Sequence, residues 1–135
     1  MQKQNRRKFI TTATIMSIGL TAAANTFQEK ETKKPVIHHV FFWLKNPSSK
    51  EDLNKLLQGL QTLKGIETVR QIHIGVPAST EHRSVVDSSF SASELLFFDD
   101  LEGQKTYQDH PIHLKFVENC SHLWEKVIVY DSVDA

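Results

Sequence analysis

The run Tyr107-Gln-Asp-His110-Pro111-Ile-His113 gathers one phenol and two imidazoles within seven residues. Groups of this kind move protons and hydrogen-bond to carbonyl oxygens near neutral pH, so the spacing points to acid/base chemistry. Pro111 marks a helix start that Asp109 is placed to cap, which favours His110 as a turn device over a reacting group. Further on, His113, Val117, Cys120 and Trp124 follow i, i+4, i+7 and i+11, one inward stripe of that helix. An imidazole on the stripe is shielded from water and its cation disfavoured, which lowers its pKa and suits a general base. The competing reading is that His113 and Tyr107 only hydrogen-bond to backbone and hold helix to sheet, as buried polar groups usually do.

Other reactive side chains have weaker support. Cys120 sits mid-helix among apolar residues, where a thiol is a small core residue, and no Gly-x-Ser-x-Gly element offers a nucleophile. Seven histidines invite a metal, and His110-x-x-His113 has a tolerable spacing that His38 or His39 could complete. Against this stand a single cysteine and the lack of any HExxH or Glu-x-x-His pair, so no metal is expected. A haem would find no more than a lone histidine, and no cofactor is expected. The connection from Pro77 to Asp87 is long enough to form a pocket rim, in which Arg83 would bind a carboxylate and Asp87 steady the loop. An Arg83–Asp87 surface pair of little energetic value is the alternative.

The elements that must position these groups follow from periodicity. Val36 to Leu44 reads as a strand, with Ile37, His39, Phe41 and Trp43 on one face and His38, Val40, Phe42 and Leu44 on the other. Apolar residues on both faces imply a central strand covered on two sides. Ser48 and Glu51 have capping-box spacing, and Leu53, Leu56, Leu57, Leu60 and Leu63 mark a helical face that Lys64-Gly65 ends. Strands are predicted over 66–76 and 88–98, the latter with Phe90, Ala92, Leu96 and Phe98 on one face. Helices over 100–109 and 111–124 and a last strand over 126–131 complete the chain. The order β-α-β-β-α-(α)-β is the split βαβ, ferredoxin-like α+β plan: a four-stranded antiparallel sheet with helices on one face. The uncovered apolar face calls for a second copy packed sheet to sheet.

The N-terminus carries Arg6-Arg7, then a Thr/Ala/Gly-rich apolar run to Ala24, and resembles a twin-arginine export signal. Ala22 and Ala24 fit a small-residue cleavage site, giving a signal over 1–24, a polar linker over 25–35 and a domain over 36–133. The apolar run, about 15 residues and broken by threonines, is too short and polar to span a membrane, so no stable anchoring is expected once the signal is gone. Removal of 1–24 takes away four basic residues and no acid, so 16 and 16 become 12 and 16 and the net charge becomes −4. No basic cluster survives to bind phosphates, which argues against nucleic acid.

Together these features resemble the stress-responsive A/B barrel (Dabb) family of dimeric α/β barrels, over residues 36–133. The resemblance rests on His39-Val-Phe-Phe-Trp-Leu-Lys-Asn-Pro47, Gly75, Tyr107-x-x-His110-Pro111-x-His113-x-x-Phe116-Val117 and Val-Ile-Val-Tyr-Asp131. The element Arg83-Ser-Val-Val-Asp87-Ser-Ser89 is most similar to exported members. The family likeness implies a homodimer and a pocket between sheet and helices in each subunit, without fixing one activity. Some plant members are similar to polyketide cyclases; by that likeness His113 would remove a proton alpha to a carbonyl, and Tyr107 would hydrogen-bond a substrate oxygen. His39, with Phe41 and Trp43 on its face, matches a pocket-lining histidine, and His110 is expected among the pocket residues with them. The expected function is binding of a small, largely apolar or aromatic ligand, with cofactor-free acid/base chemistry or, alternatively, as a non-catalytic stress-related module.

Overall fold

The computed structural model describes residues 33–135; the signal and most of the linker expected at the N-terminus lie outside the described residues. The first strand, β1 (Val36–Leu44), alternates between buried and half-buried residues along its whole length. Helix α1 (Lys50–Thr62) follows and ends in a 3-10 turn, Leu63–Gly65. Its N-cap is Ser49, whose hydroxyl accepts from the Asp52 amide at 3.1 Å, one residue later than the Ser48–Glu51 spacing predicts.

Strands β2 (Gln71–Gly75) and β3 (Ala92–Phe98) are both shorter than predicted. Ile66, taken as the start of a strand, instead caps the 3-10 turn and is buried, so its apolar character serves the core rather than a ladder. Helices α2 (Leu101–Asp109) and α3 (Pro111–Cys120) meet at His110. The predicted helix to Trp124 stops at Cys120, because β4 (Trp124–Val133) begins where Trp124 pairs with Leu44 across a register shift.

The sheet order is β2-β3-β1-β4, with every neighbouring pair antiparallel. This is the expected ferredoxin-like plan, with the helices on one face. Val36, Val40, Phe42 and Leu44 of β1 join Ala92, Leu96 and Phe98 of β3 and Leu56, Leu60 and Leu63 in one buried cluster. Gly59 lets α1 approach α3, since a Cβ there would lie 2.5 Å from the Cys120 sulfur.

Among the described residues no helix lies over the other sheet face. It presents Ile37, His39, Phe41 and Trp43, all half-buried, with the Phe41 ring 5.0 Å from Phe90 and 6.1 Å from Tyr130. Among the described residues no helix is long and apolar enough to cross a membrane.

Candidate functional site

Tyr107 lies in the last turn of α2 and is fully buried, with its ring at the centre of a group of rings. The His113 ring is 4.6 Å away, Phe98 5.2 Å and His38 5.5 Å. These distances bring three polar rings from three elements (α2, α3 and β1) to one place above the sheet.

His113 enters this group because Pro111 starts α3 and directs positions 113, 116 and 120 inward. Its Nδ1 is 3.0 Å from the Gln108 carbonyl oxygen. A carbonyl only accepts, so Nδ1 carries the hydrogen and Nε2 of the neutral ring keeps its lone pair. Burial lowers the His113 pKa, the Gln108 bond opposes part of that, and the proximity of His38 adds to the lowering. The result is a neutral imidazole with an oriented basic nitrogen, as a general base needs.

His38 replaces His39 in the site. The two histidines are neighbours on β1 and point to opposite faces: His38 is buried on the helix side, and His39 half-exposed on the open side. His39, Phe41 and Trp43 therefore do not share an enclosed space with His113, and their expected place in a pocket between sheet and helices is corrected. Trp43 donates from Nε1 to the Ser89 hydroxyl at 3.0 Å, with the Lys126 ammonium 4.4 Å over its ring. The His39 pKa is lowered by partial burial, then by the nearby His73 and His38. His38, by contrast, holds Asp131 of β4 through Nδ1 at 2.5 Å, a histidine oriented by a carboxylate. Asp131 is directly opposite His38 in the ladder, which fixes the pair.

Glu94 is the second residue that sequence reading missed. It lies on β3 between Ala92 and Leu96, on the helix-facing side, only 2% exposed. Tyr107 donates to its Oε1 at 3.3 Å, while Oε2 is buried without a partner among the described residues. Burial pushes the Glu94 carboxyl up to about 7, opposed by the Tyr107 bond. The Tyr107 phenol is raised far above its usual value by burial, then by Glu94 and Asp131, so it stays a neutral donor. The signal was in the alternation itself: Phe90, Ala92, Leu96 and Phe98 skip one position, and that position is 94.

The remaining candidates lie apart from this group. His110 caps α3 with its own ring, its Nδ1 accepting from the Ile112 amide at 3.1 Å, and its Nε2 faces Glu67 at 3.3 Å. It is the turn device expected, although the cap is His110 and not Asp109; the Asp109 carboxylate instead pairs with Lys105. Arg83 is exposed in the loop before β3. The Asp87 carboxylate accepts from the Ser89 amide at 2.9 Å, which lowers its pKa through the Ser89 side-chain and backbone bonds. Ser89 carries Trp43, so this loop end sits at the open sheet face and away from His113. Among the described residues no group of three or more metal-ligating side chains is formed.

A cleft of about 470 Å³ opens between α1 and α3, floored by Gly59, Ile112, Phe116 and Cys120 with Lys115 at its edge. Neither His113 nor Tyr107 lines it. Phe116 belongs to both places, with its ring 6.4 Å from that of His113.

The family model of the stress responsive A/B barrel domain matches residues 36–134. The chain belongs to the Dabb family. A Dabb family protein with a ferredoxin-like fold from Mesorhizobium loti is similar at 23% identity and TM-score 0.64, over 76% of this chain and 99% of that one. A dimeric ferredoxin-like protein of unknown function from Thermobifida fusca is similar at 14% identity and TM-score 0.62, over 76% of this chain and 92% of that one. The hydroxynitrile lyase of Passiflora edulis is similar at 18% identity and TM-score 0.63, over 76% of this chain and 95% of that one. No curated protein matches this Dabb chain. At these identities the likeness carries the fold, and the chemistry has to come from the residues.

Proposed function

We propose that this Dabb protein binds a small, largely apolar, oxygen-bearing ligand beside Tyr107 and acts on it by cofactor-free acid/base chemistry of a lyase or cyclase kind. The observation that carries this reading is the juxtaposition of the His113 ring, its pKa lowered by burial and its Nδ1 fixed on Gln108, with the buried Tyr107 hydroxyl. His113 Nε2 takes a proton from the ligand, and Tyr107 donates a hydrogen bond to the oxygen where negative charge develops. The His38–Asp131 pair stands beside Tyr107 as a second oriented imidazole. The cleft between α1 and α3 is the route in, with movement of Phe116 joining it to the rings. That a hydroxynitrile lyase shares the fold supports a reaction at a carbonyl carbon.

The test is cleavage of an aromatic cyanohydrin, in which the base removes the hydroxyl proton, the carbon–oxygen double bond forms and cyanide leaves. Aldehyde release that disappears in His113→Ala while the melting temperature is kept supports the reading. No release by the wild-type protein, with His113→Ala altering melting temperature alone, removes it.

A second reading has its own observation. Nδ1 of His113 and the Tyr107 hydroxyl are both satisfied inside the chain, as in a non-catalytic module whose polar rings only tie helices to sheet. Retention of ligand without turnover selects this alternative. In either case the protein is read as an exported homodimer: residues 1–24 direct export and are removed, and the open sheet faces of two copies meet, closing a barrel over Phe41 and Trp43. The Thermobifida fusca protein of like fold is dimeric, which supports the assembly.

A further inference from the structure

Glu94 stands in a central strand, its carboxyl turned to the helix side of the sheet, with no cation paired to it among the described residues. The positions across from it are Val40 of β1 and Ile74 of β2, both apolar. Among the described residues Oε2 has no partner, and Oε1 has one, the Tyr107 hydroxyl. A buried carboxyl with a single hydrogen-bond partner must express any change in its own protonation on that partner.

We propose that Glu94 is a positioning residue that decides which way the Tyr107 hydroxyl hydrogen points. When the carboxyl is neutral it donates to Tyr107 Oη, and the phenolic hydrogen turns to a ligand oxygen. When it is ionised it accepts that hydrogen, and Tyr107 offers the ligand only lone pairs. The ligand class follows: a carbonyl or developing alkoxide oxygen is held by the first state and released by the second. This inference rests on the proposed role of Tyr107 as donor to a ligand oxygen. Its working range is set by burial, which brings the carboxyl to about 7.

Other titratable groups face the same phenol. His38 approaches it from β1 with Asp131 of β4 bound behind, and His113 from α3; α2 contributes Tyr107 itself. Two imidazoles could thus also move a Tyr107 signal with pH, and the experiment must separate them from Glu94.

The full chain contains two tyrosines, so labelling with tyrosine enriched in 13C at Cζ gives two ring signals, assigned by Tyr130→Phe. With no ligand present, the Tyr107 signal should step with a midpoint near 7, without the large shift of phenolate formation. A protonated-carboxyl infrared band should fade with the same midpoint. Glu94→Gln and the apolar Glu94→Leu should both abolish step and band, and either variant serves if the other does not fold. In Tyr107→Phe the band should persist to higher pH, because the phenol's bond favours the carboxylate. A step that survives in Glu94→Gln or Glu94→Leu belongs to His38 or His113 and overturns the inference, as does a wild-type protein with no step. Absence of turnover with the step intact instead defeats the proposed function and leaves this switch standing. Where turnover is found, its loss on the alkaline side with a midpoint near 7 should vanish in Glu94→Gln, with the acid side, set by His113, unchanged.

Discussion

Glu94 carries its cost in one direction of pH. Its folded pKa of about 7 exceeds the ordinary 4.5, so between those values the native state keeps a proton that the unfolded chain has released. The benefit of the neutral carboxyl is complete below about 4.5 and is lost as pH rises through about 7; beyond that, the buried carboxylate destabilises the fold by about 3 kcal/mol. Glu94→Gln should therefore gain on the wild type by roughly that amount between pH 5 and pH 8, read from urea unfolding at each pH. Equal differences at the two pH values would mean that water or a cation reaches the carboxyl. The same residue shows what periodicity conceals. Its parity on β3 was legible, but a lone acid in an apolar row is easily read as an interruption of the row. His38 and His39 were harder to order. Both faces of β1 are apolar, so alternation alone gives no reason to choose which histidine faces the helices. The deciding contacts, Asp131 and Tyr107, lie 93 and 69 residues away in sequence. His113 needed no such help, since one helix and its proline fix its direction.

At the level of elements, the site depends on how closely α1 and α3 approach, because α3 carries His113. Gly59 sets that approach. Alanine is favoured over glycine in a helix interior by about 1 kcal/mol. A Cβ at 59, however, would meet the Cys120 sulfur at 2.5 Å and Phe116 at 3.0 Å, and such overpacking costs about 1–3 kcal/mol. Gly59→Ala is expected to lose stability by about 1 kcal/mol net in thermal unfolding, and adding Cys120→Ala should recover most of it by removing the sulfur. A rise in melting temperature for the single variant would show that α3 shifts freely, which would weaken any claim to a fixed His113. Element types and order were legible from spacing alone. The ends were not: Ile66 and Trp124 are apolar for reasons of packing, and each extended a predicted element past its true limit.

For the whole molecule, the face bearing Ile37, His39, Phe41 and Trp43 decides the assembly. Sheet faces this apolar are covered in stable proteins, and α1, α2 and α3 are all on the other side. Native mass spectrometry of the protein purified from its own cells should give a dimer, with any retained ligand in the added mass; the proposed export predicts chains lacking residues 1–24. Phe41→Asp should shift the mass to the monomer while Tyr107 and His113 stay packed. A monomeric wild type would leave the open face without an explanation.

The two sides of β1 also imply a pattern in heredity. Its even-numbered residues, 36 to 44, lie in the interior and its odd-numbered ones, 37 to 43, on the outer seam. Saturating this strand with substitutions should thus yield two interleaved phenotypes, failed folding or chemistry at one position and failed pairing at the next. A single-codon deletion inside it would exchange the two sets and lose both at once.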